Sequence, residues 1–169
     1  FNRLTAWLAP ILCFTAEEAW QSRQLDFENS VHLRSYDPIS PEWHDNDVEH
    51  RWTQIRKVRQ VVMSALEFAR NDGKIGSSLQ AALTVYVSED MLSAFAGQDS
   101  ASLFITSSAI LTTDLAPVDA FRLEAISDIA VGVSMAEGKK CARCWKVSRE
   151  VNASRDICER CFKVVAKLT

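Results

Sequence analysis

The chain holds 169 residues with 19 Lys or Arg, 22 Asp or Glu and a net charge of −3, a length that allows one ordinary domain or two to three small ones. Composition and pattern exclude several classes. The sequence has no signal peptide, no Arg-rich transit sequence, no apolar run able to span a membrane, no internal repeat and no low-complexity tract.

Phe1, Leu4, Trp7, Leu8, Ile11 and Leu12 follow an i, i+3, i+4 rhythm. The stripe is already running at the first residue, which reads as a helix cut from something longer. Pro10 bends or restarts it. Thr15-Ala-Glu-Glu18 reads as a capping box opening a second short helix to about Arg23, with Trp20 on its inner face. Glu17 and Glu18 read as cap residues rather than an acid/base pair. Cys13, alone in an apolar stretch, is expected to be a small buried hydrophobe. Residues 24–46 keep no sustained period: Ser30-Val-His-Leu33 reads as a short extended piece, and Asp37-Pro38 and Ser40-Pro41 punctuate a loop. Val48, Trp52, Ile55, Val58, Val62, Leu66 and Ala69 then mark a long helix, closed at Asn71-Asp72-Gly73 with Gly73 in the left-handed conformation. These one-sided faces need partners, so residues 1–73 are expected to be part of a helical bundle.

From Lys74 the period changes to two. Leu83, Val85 and Val87 predict a strand. Ser88 caps a short helix through Met91 and Phe95 that Gly97 ends. Residues 103–105 and 109–111 predict one or two short strands, and Ile129, Val131, Val133 and Met135 a last one. Residues 74–137 therefore form a small α/β or α+β unit, and Gly138 leads into a third segment, 138–169.

That segment carries the strongest motif. Cys141-Ala-Arg-Cys144 and Cys158-Glu-Arg-Cys161 are two Cys-x-x-Cys pairs separated by 13 residues. Each pair can turn two sulfurs inward on a tight loop, and together they can surround one metal ion tetrahedrally. Zn²⁺ suits four sulfurs best, in a closed structural shell with no open position for substrate, although iron could take the same ligands. Two disulfides would fit a secreted protein, which nothing else in the sequence suggests. The expected fold class is thus a multi-domain α+β chain with a partial helical bundle, a small α/β junction unit and a Cys₄ zinc ribbon.

Charge divides the chain in the same place. Residues 139–169 carry nine Lys or Arg against three acids, net +6, leaving −9 on the rest. Zinc with four thiolates contributes about −2, so the ribbon stays basic. A compact basic knob on an acidic body points to a polyanion. Trp145, directly after a ligand, either stacks on an unpaired base or packs on the ribbon's thin core. The remaining chemistry is sparse. His32, His44 and His50 have no ligand spacing. Gly73-Lys74 fails as a phosphate loop, because Phe68 stands where its first glycine should be. No nucleophile elbow or His-Glu-x-x-His helix occurs, and no catalytic centre is expected in this stretch.

Several segments together resemble one family. Trp7-Leu-Ala-Pro-Ile-Leu-Cys-Phe-Thr-Ala-Glu-Glu-Ala-Trp20 is similar to the LAPxxPFxxEExW helix pair of class I aminoacyl-tRNA synthetases of the isoleucine, leucine and valine group, with Cys13 in place of the second proline. Ser30-Val-His-Leu33 resembles the SVHL segment that follows. Lys57-Val-Arg59, Ala65-Leu-Glu67, Ala69-Arg70 and Lys74-Ile-Gly-Ser-Ser-Leu79 resemble a run near the C-terminus of bacterial isoleucyl-tRNA synthetases. Lys140-Cys-Ala-Arg-Cys-Trp145 and Ile157-Cys-Glu-Arg-Cys161 resemble their terminal zinc domain. The matches occur in family order.

The resemblance implies the tRNA-binding end of an isoleucine–tRNA ligase. The parent would use ATP outside this stretch, act in the cytoplasm as a monomer without a membrane, and take isoleucine tRNA as partner. By that resemblance the ribbon holds the anticodon loop. Cys141, Cys144, Cys158 and Cys161 are then zinc ligands. Trp145 stacks on a base, Arg143 and Arg160 reach phosphate or base edges, and Lys146, Arg149 and Lys163 supply backbone charge. Arg56 and Arg59 are weaker candidates. A basic Cys₄ finger also resembles that of base-excision DNA glycosylases, and a zinc-stapled protein-interaction module is a third reading.

Overall fold

A computed structural model describes residues 1–23, 29–152 and 154–167. Two compact units form, residues 1–45 and 46–169. The fold is mixed α/β, with six α-helices and two small sheets among the described residues. None of these helices is long and apolar enough to cross a membrane.

In the first unit, α1 (Asn2–Leu8) and α2 (Cys13–Arg23) are joined by a turn through Pro10, where the amides of Ile11 and Leu12 both donate to the Leu8 carbonyl. Ala6, Ala9, Ala16, Trp20 and Val31 form its core. The small alanines let the helices approach, and the one large residue, Trp20, donates its indole N–H to the Asn29 carbonyl at 2.6 Å.

Three local expectations change in this unit. The helix begins at Cys13, so Thr15 lies inside it and no capping box forms. Glu17 instead bonds across the unit: its carboxylate accepts the Ser30 hydroxyl and the Val31 amide, each at 2.9 Å, and holds its carboxyl below the usual range chiefly through the Gln21 side-chain amide. Residues 31–33 are a 3₁₀ turn rather than an extended piece, because the Ser30 side chain accepts the His32 amide and caps it. Cys13 is exposed, not buried, with its thiol toward the Pro10 carbonyl. Residues 24–28, the start of the expected loop, lie outside the described residues.

The second unit is built on α3 (Asn46–Asn71) and a four-stranded sheet. The strands are β1 (Ala81–Tyr86), β2 (Ser108–Thr112), β3 (Phe121–Leu123) and β4 (Ile126–Met135), in the order β2-β1-β4-β3. β1 and β2 are parallel, and the other neighbours antiparallel. A parallel pair needs a crossover, supplied here by α4 (Glu89–Ala94) and α5 (Ser100–Leu103). Leu83 pairs with Val133 and Val85 with Val131, giving one apolar face. Ile55, Val58, Val61, Val62, Ala65, Leu66 and Ala69 of α3 belong to the same core. The long helix, expected with the bundle, therefore packs on the sheet, which offers a matching apolar face.

The predicted caps at Ser88 and Gly73 form: the Met91 amide donates to the Ser88 hydroxyl, and Gly73 has φ +71°. Residues 103–105 are not a strand. Asp99 accepts the Ser102 amide and hydroxyl, which starts α5, and the chain leaves it through Ile105 at φ +57°. Val48 and Trp52 of the predicted stripe are exposed.

After β4 the Ala136 amide still donates to the Gln80 carbonyl at 2.7 Å. The chain then reverses at Gly138, φ +117°, into a hairpin of β5 (Lys139–Lys140) and β6 (Val147–Ser148). A Cβ at Gly138 would overlap the Ser148 carbonyl group and the Arg149 nitrogen, all of them backbone. Gly138→Ala is therefore expected to destabilise the hairpin by about 1–3 kcal/mol. A lower thermal midpoint and faster hydrogen exchange at the Cys141 amide, which donates to the Lys146 carbonyl, would show it.

Candidate metal centre and nucleic-acid surface

The two Cys-x-x-Cys turns are held by different backbone devices. Cys141 leaves β5, and the Trp145 amide closes the first turn by donating to the Cys141 carbonyl at 3.0 Å. In the second half Asn152 accepts the amides of Ser154 and Arg155 on its side-chain oxygen. Cys158 then caps α6 (Glu159–Val165), which carries Cys161 on its first turn. The Ala142 amide joins the halves by donating to the Asp156 carbonyl at 2.9 Å. As a result, the sulfurs of Cys141, Cys144, Cys158 and Cys161 all lie within 4.8 Å of one another. Ligands about 2.3 Å from a tetrahedral Zn²⁺ stand about 3.8 Å apart, and the Cys144 and Cys158 sulfurs are separated by 3.7 Å. The donor set therefore fits zinc. Among the described residues, the buried core here holds Val151 besides these cysteines, with Ile157 half-buried against it.

The sulfurs are unequal. Burial pushes the Cys141 thiol up, but amide N–H groups of Cys144, Cys158 and Arg143 outweigh it and bring it down to about 6. Cys144 is pushed up to about 11 by burial and by its sulfur neighbours. Cys161 is lowered, first by the Arg143 guanidinium at 3.7 Å. A thiolate is the ligand form, so the cluster holds a ready first ligand at neutral pH.

Trp145 follows the first turn with φ +67°, a left-handed conformation that a bulky residue rarely adopts. Its indole is exposed, with the Lys140 ammonium 4.9 Å from the ring centre. Lys140 is not among the contacts expected from the sequence, where its only signal is its place directly before the first cysteine of the cluster. The expected cations are placed unevenly. Arg143 faces the Cys161 sulfur, Lys146 donates to the Ser102 hydroxyl at 3.3 Å, and Arg149 pairs with Glu137. On α6, Lys163 lies 3.7 Å from Glu159, whose carboxyl is held low first by Arg155. Arg160 is exposed. Arg59 bonds the Leu103 carbonyl and Arg56 the Thr53 hydroxyl, both far from the cysteines in sequence and engaged within their own region.

Residues 1–87 match the family described as "Anticodon-binding domain of tRNA ligase". The chain belongs to this anticodon-binding family. Residues 138–164 match a "Zinc finger found in FPG and IleRS". Among curated relatives, it is 46% identical over 154 residues to the isoleucine–tRNA ligase of Agrobacterium fabrum, covering 90% of the chain and 16% of that protein. It is 44% identical over 169 residues to the isoleucine–tRNA ligase of Gluconobacter oxydans, covering 96% and 16%. The isoleucine–tRNA ligase of Bartonella henselae is 42% identical over 154 residues. The chain thus spans about 16% of the length of these relatives. The resemblance read from the motifs is borne out along nearly the whole chain, and the glycosylase alternative is not favoured, since the tRNA-ligase match covers residues 1–87 as well.

Two outcomes follow from the geometry. Cys158→Ser is expected to abolish stoichiometric zinc and melt residues 138–167 while leaving helix content largely intact, read by metal analysis and far-UV circular dichroism. Trp145→Gly relieves the left-handed strain, so it should retain zinc with equal or higher thermal stability by about 1 kcal/mol, yet lose whatever the exposed indole contacts. A calorimetric comparison of the zinc-loaded proteins checks the first half of that statement.

Proposed function

We propose that this chain is the anticodon-reading end of an isoleucine–tRNA ligase, with a structural Zn²⁺ held by Cys141, Cys144, Cys158 and Cys161. The observation that carries the reading is the presence in one chain of an anticodon-binding match and a four-sulfur cluster beside an exposed tryptophan. Bound zinc supplies rigid tetrahedral cross-linking and no catalysis, since all four positions are thiolates. Trp145 stacks on an unpaired base. Arg160 and Arg143 contact phosphate or base edges, and Lys146, Arg149 and Lys163 contribute backbone charge.

The division into residues 1–73, 74–137 and 138–169 is then one of role rather than of packing: anticodon-binding helices, a junction, and the reading tip. The parent would supply ATP-dependent attachment of isoleucine, working as a cytoplasmic monomer on isoleucine tRNA. Lys146, Arg149 and Lys163 already have partners in the protein, so each must share or give up that contact to meet phosphate.

The test is binding of the zinc-loaded chain to isoleucine tRNA, an unrelated tRNA and damaged duplex DNA at matched near-physiological salt. A preference for isoleucine tRNA that disappears on chelation or in Trp145→Ala is expected. Its log-affinity should fall with log salt at a slope of about −2 to −3, for three or four phosphates. Equal weak binding to all three would defeat the reading, as would capture of an acidic protein without RNA.

A further inference from the structure

The ribbon joins the sheet covalently through one strand of backbone, residues 136–138, which ends at Gly138 against the Ser148 backbone. A single tether fixes where the ribbon starts, and its orientation needs contacts further along. What fixes it is non-covalent, and it converges on one hydroxyl. Ser107 accepts the Val147 amide at 2.6 Å and donates to the Leu79 carbonyl at 2.5 Å. Its own amide donates to the Ala81 carbonyl at 3.1 Å. One half-buried side chain thus connects the segment before β1, the start of β2 and strand β6. The neighbouring links are weaker. Lys146 reaches Ser102 at the long distance of 3.3 Å, and the Arg149–Glu137 pair is exposed and open to screening.

Val147 lies two residues after Trp145, and Trp145 is locked in its turn by the Cys141 carbonyl. The chain of constraint runs from sheet to Ser107 to β6 to indole. Between the docked ribbon and the sheet end lies an open cleft of about 670 Å³, lined by Ala82, Ser108 and Ser134 and by both charges, Lys146, Arg149 and Arg160 with Glu137, Glu150 and Glu159. Ser107 and Val147, the two ends of that hydrogen bond, both line it.

We propose that Ser107 is a positioning residue: its hydroxyl fastens the four-cysteine ribbon to the sheet, so that Trp145 and the cleft rim meet unpaired RNA as one rigid surface. This rests on the reading of Trp145 as an RNA contact. Ser107 touches no RNA itself; it acts through β6.

The test is a double-variant cycle on the zinc-loaded full chain, with isoleucine tRNA as probe. Ser107→Val and Ser107→Thr are nearly isosteric and differ in the hydroxyl. Ser107→Val should keep one zinc per chain, speed hydrogen exchange at the Val147 amide, and weaken tRNA binding about two- to tenfold. Ser107→Thr should stay near the parent affinity. In a Trp145→Ala background, Ser107→Val should add a smaller loss than it causes alone. Equal losses in the Thr and Val variants, unchanged affinity in Ser107→Val, or losses that multiply in the double variant would overturn the positioning role alone. Unchanged affinity in Trp145→Ala would overturn the RNA reading of the indole, and the proposal with it.

Discussion

The four sulfurs within 4.8 Å of one another are the constraint on which the end of this molecule depends. The segment around them buries one valine besides the cysteines, far too little apolar surface to offset the entropy of ordering some thirty residues. Thiolates at that spacing repel one another unless a cation sits among them. The protein supplies partial compensation of its own. Amides of Cys144 and Cys158 point at Cys141, and Arg143 at Cys161. These donors pre-shape the cluster, and the metal that the donor set fits would complete it. The local backbone follows from that arrangement, including the first turn that throws Trp145 into a left-handed conformation and the start of α6 at Cys158.

The sheet unit provides what the ribbon lacks. α3 lays seven buried residues in a continuous core with β1 and β4, and the crossover through α4 and α5 brings Ser107 to the edge where the ribbon docks. The cap at Asp99, which diverts residues 100–103 into a helix, is therefore part of how the ribbon is held. The same segment presents Ser102 to Lys146 and Ser107 to Val147.

What was legible in the sequence tracks the range of the interaction. The cysteine cluster was legible because its ligands come from two short turns of fixed spacing. α3, β1 and β4 were legible because their apolar periods run for several repeats, and Gly73 and Ser88 because caps act over three or four residues. β3 was missed, being only three residues long. The capping box at Thr15 failed because α2 already starts at Cys13, with the Ala16 amide donating to the Leu12 carbonyl. Residues 103–105 were misread because an apolar triplet carries no period, while Asp99 four residues earlier carried a helix start. Ser107 had no signal at all: its partners lie 28 and 40 residues away.

The charge pattern argues for how the proposed surface discriminates. A formal excess of six positive charges on residues 139–169 suggests a strongly electrostatic RNA binder, but geometry reduces it. Lys140 covers the Trp145 ring, Arg143 faces sulfur, Arg149 pairs with Glu137, and Arg155 and Lys163 share Glu159. The cluster's own negative charge lowers it further. Cations already engaged must break a contact to meet phosphate, which weakens sequence-independent attraction. A surface with few free cations and one rigid exposed indole draws a larger share of its affinity from stacking on a base that is already unpaired. Such an arrangement suits a module that must release most RNA and hold one loop, and it makes the orientation of that indole matter more than the number of lysines around it.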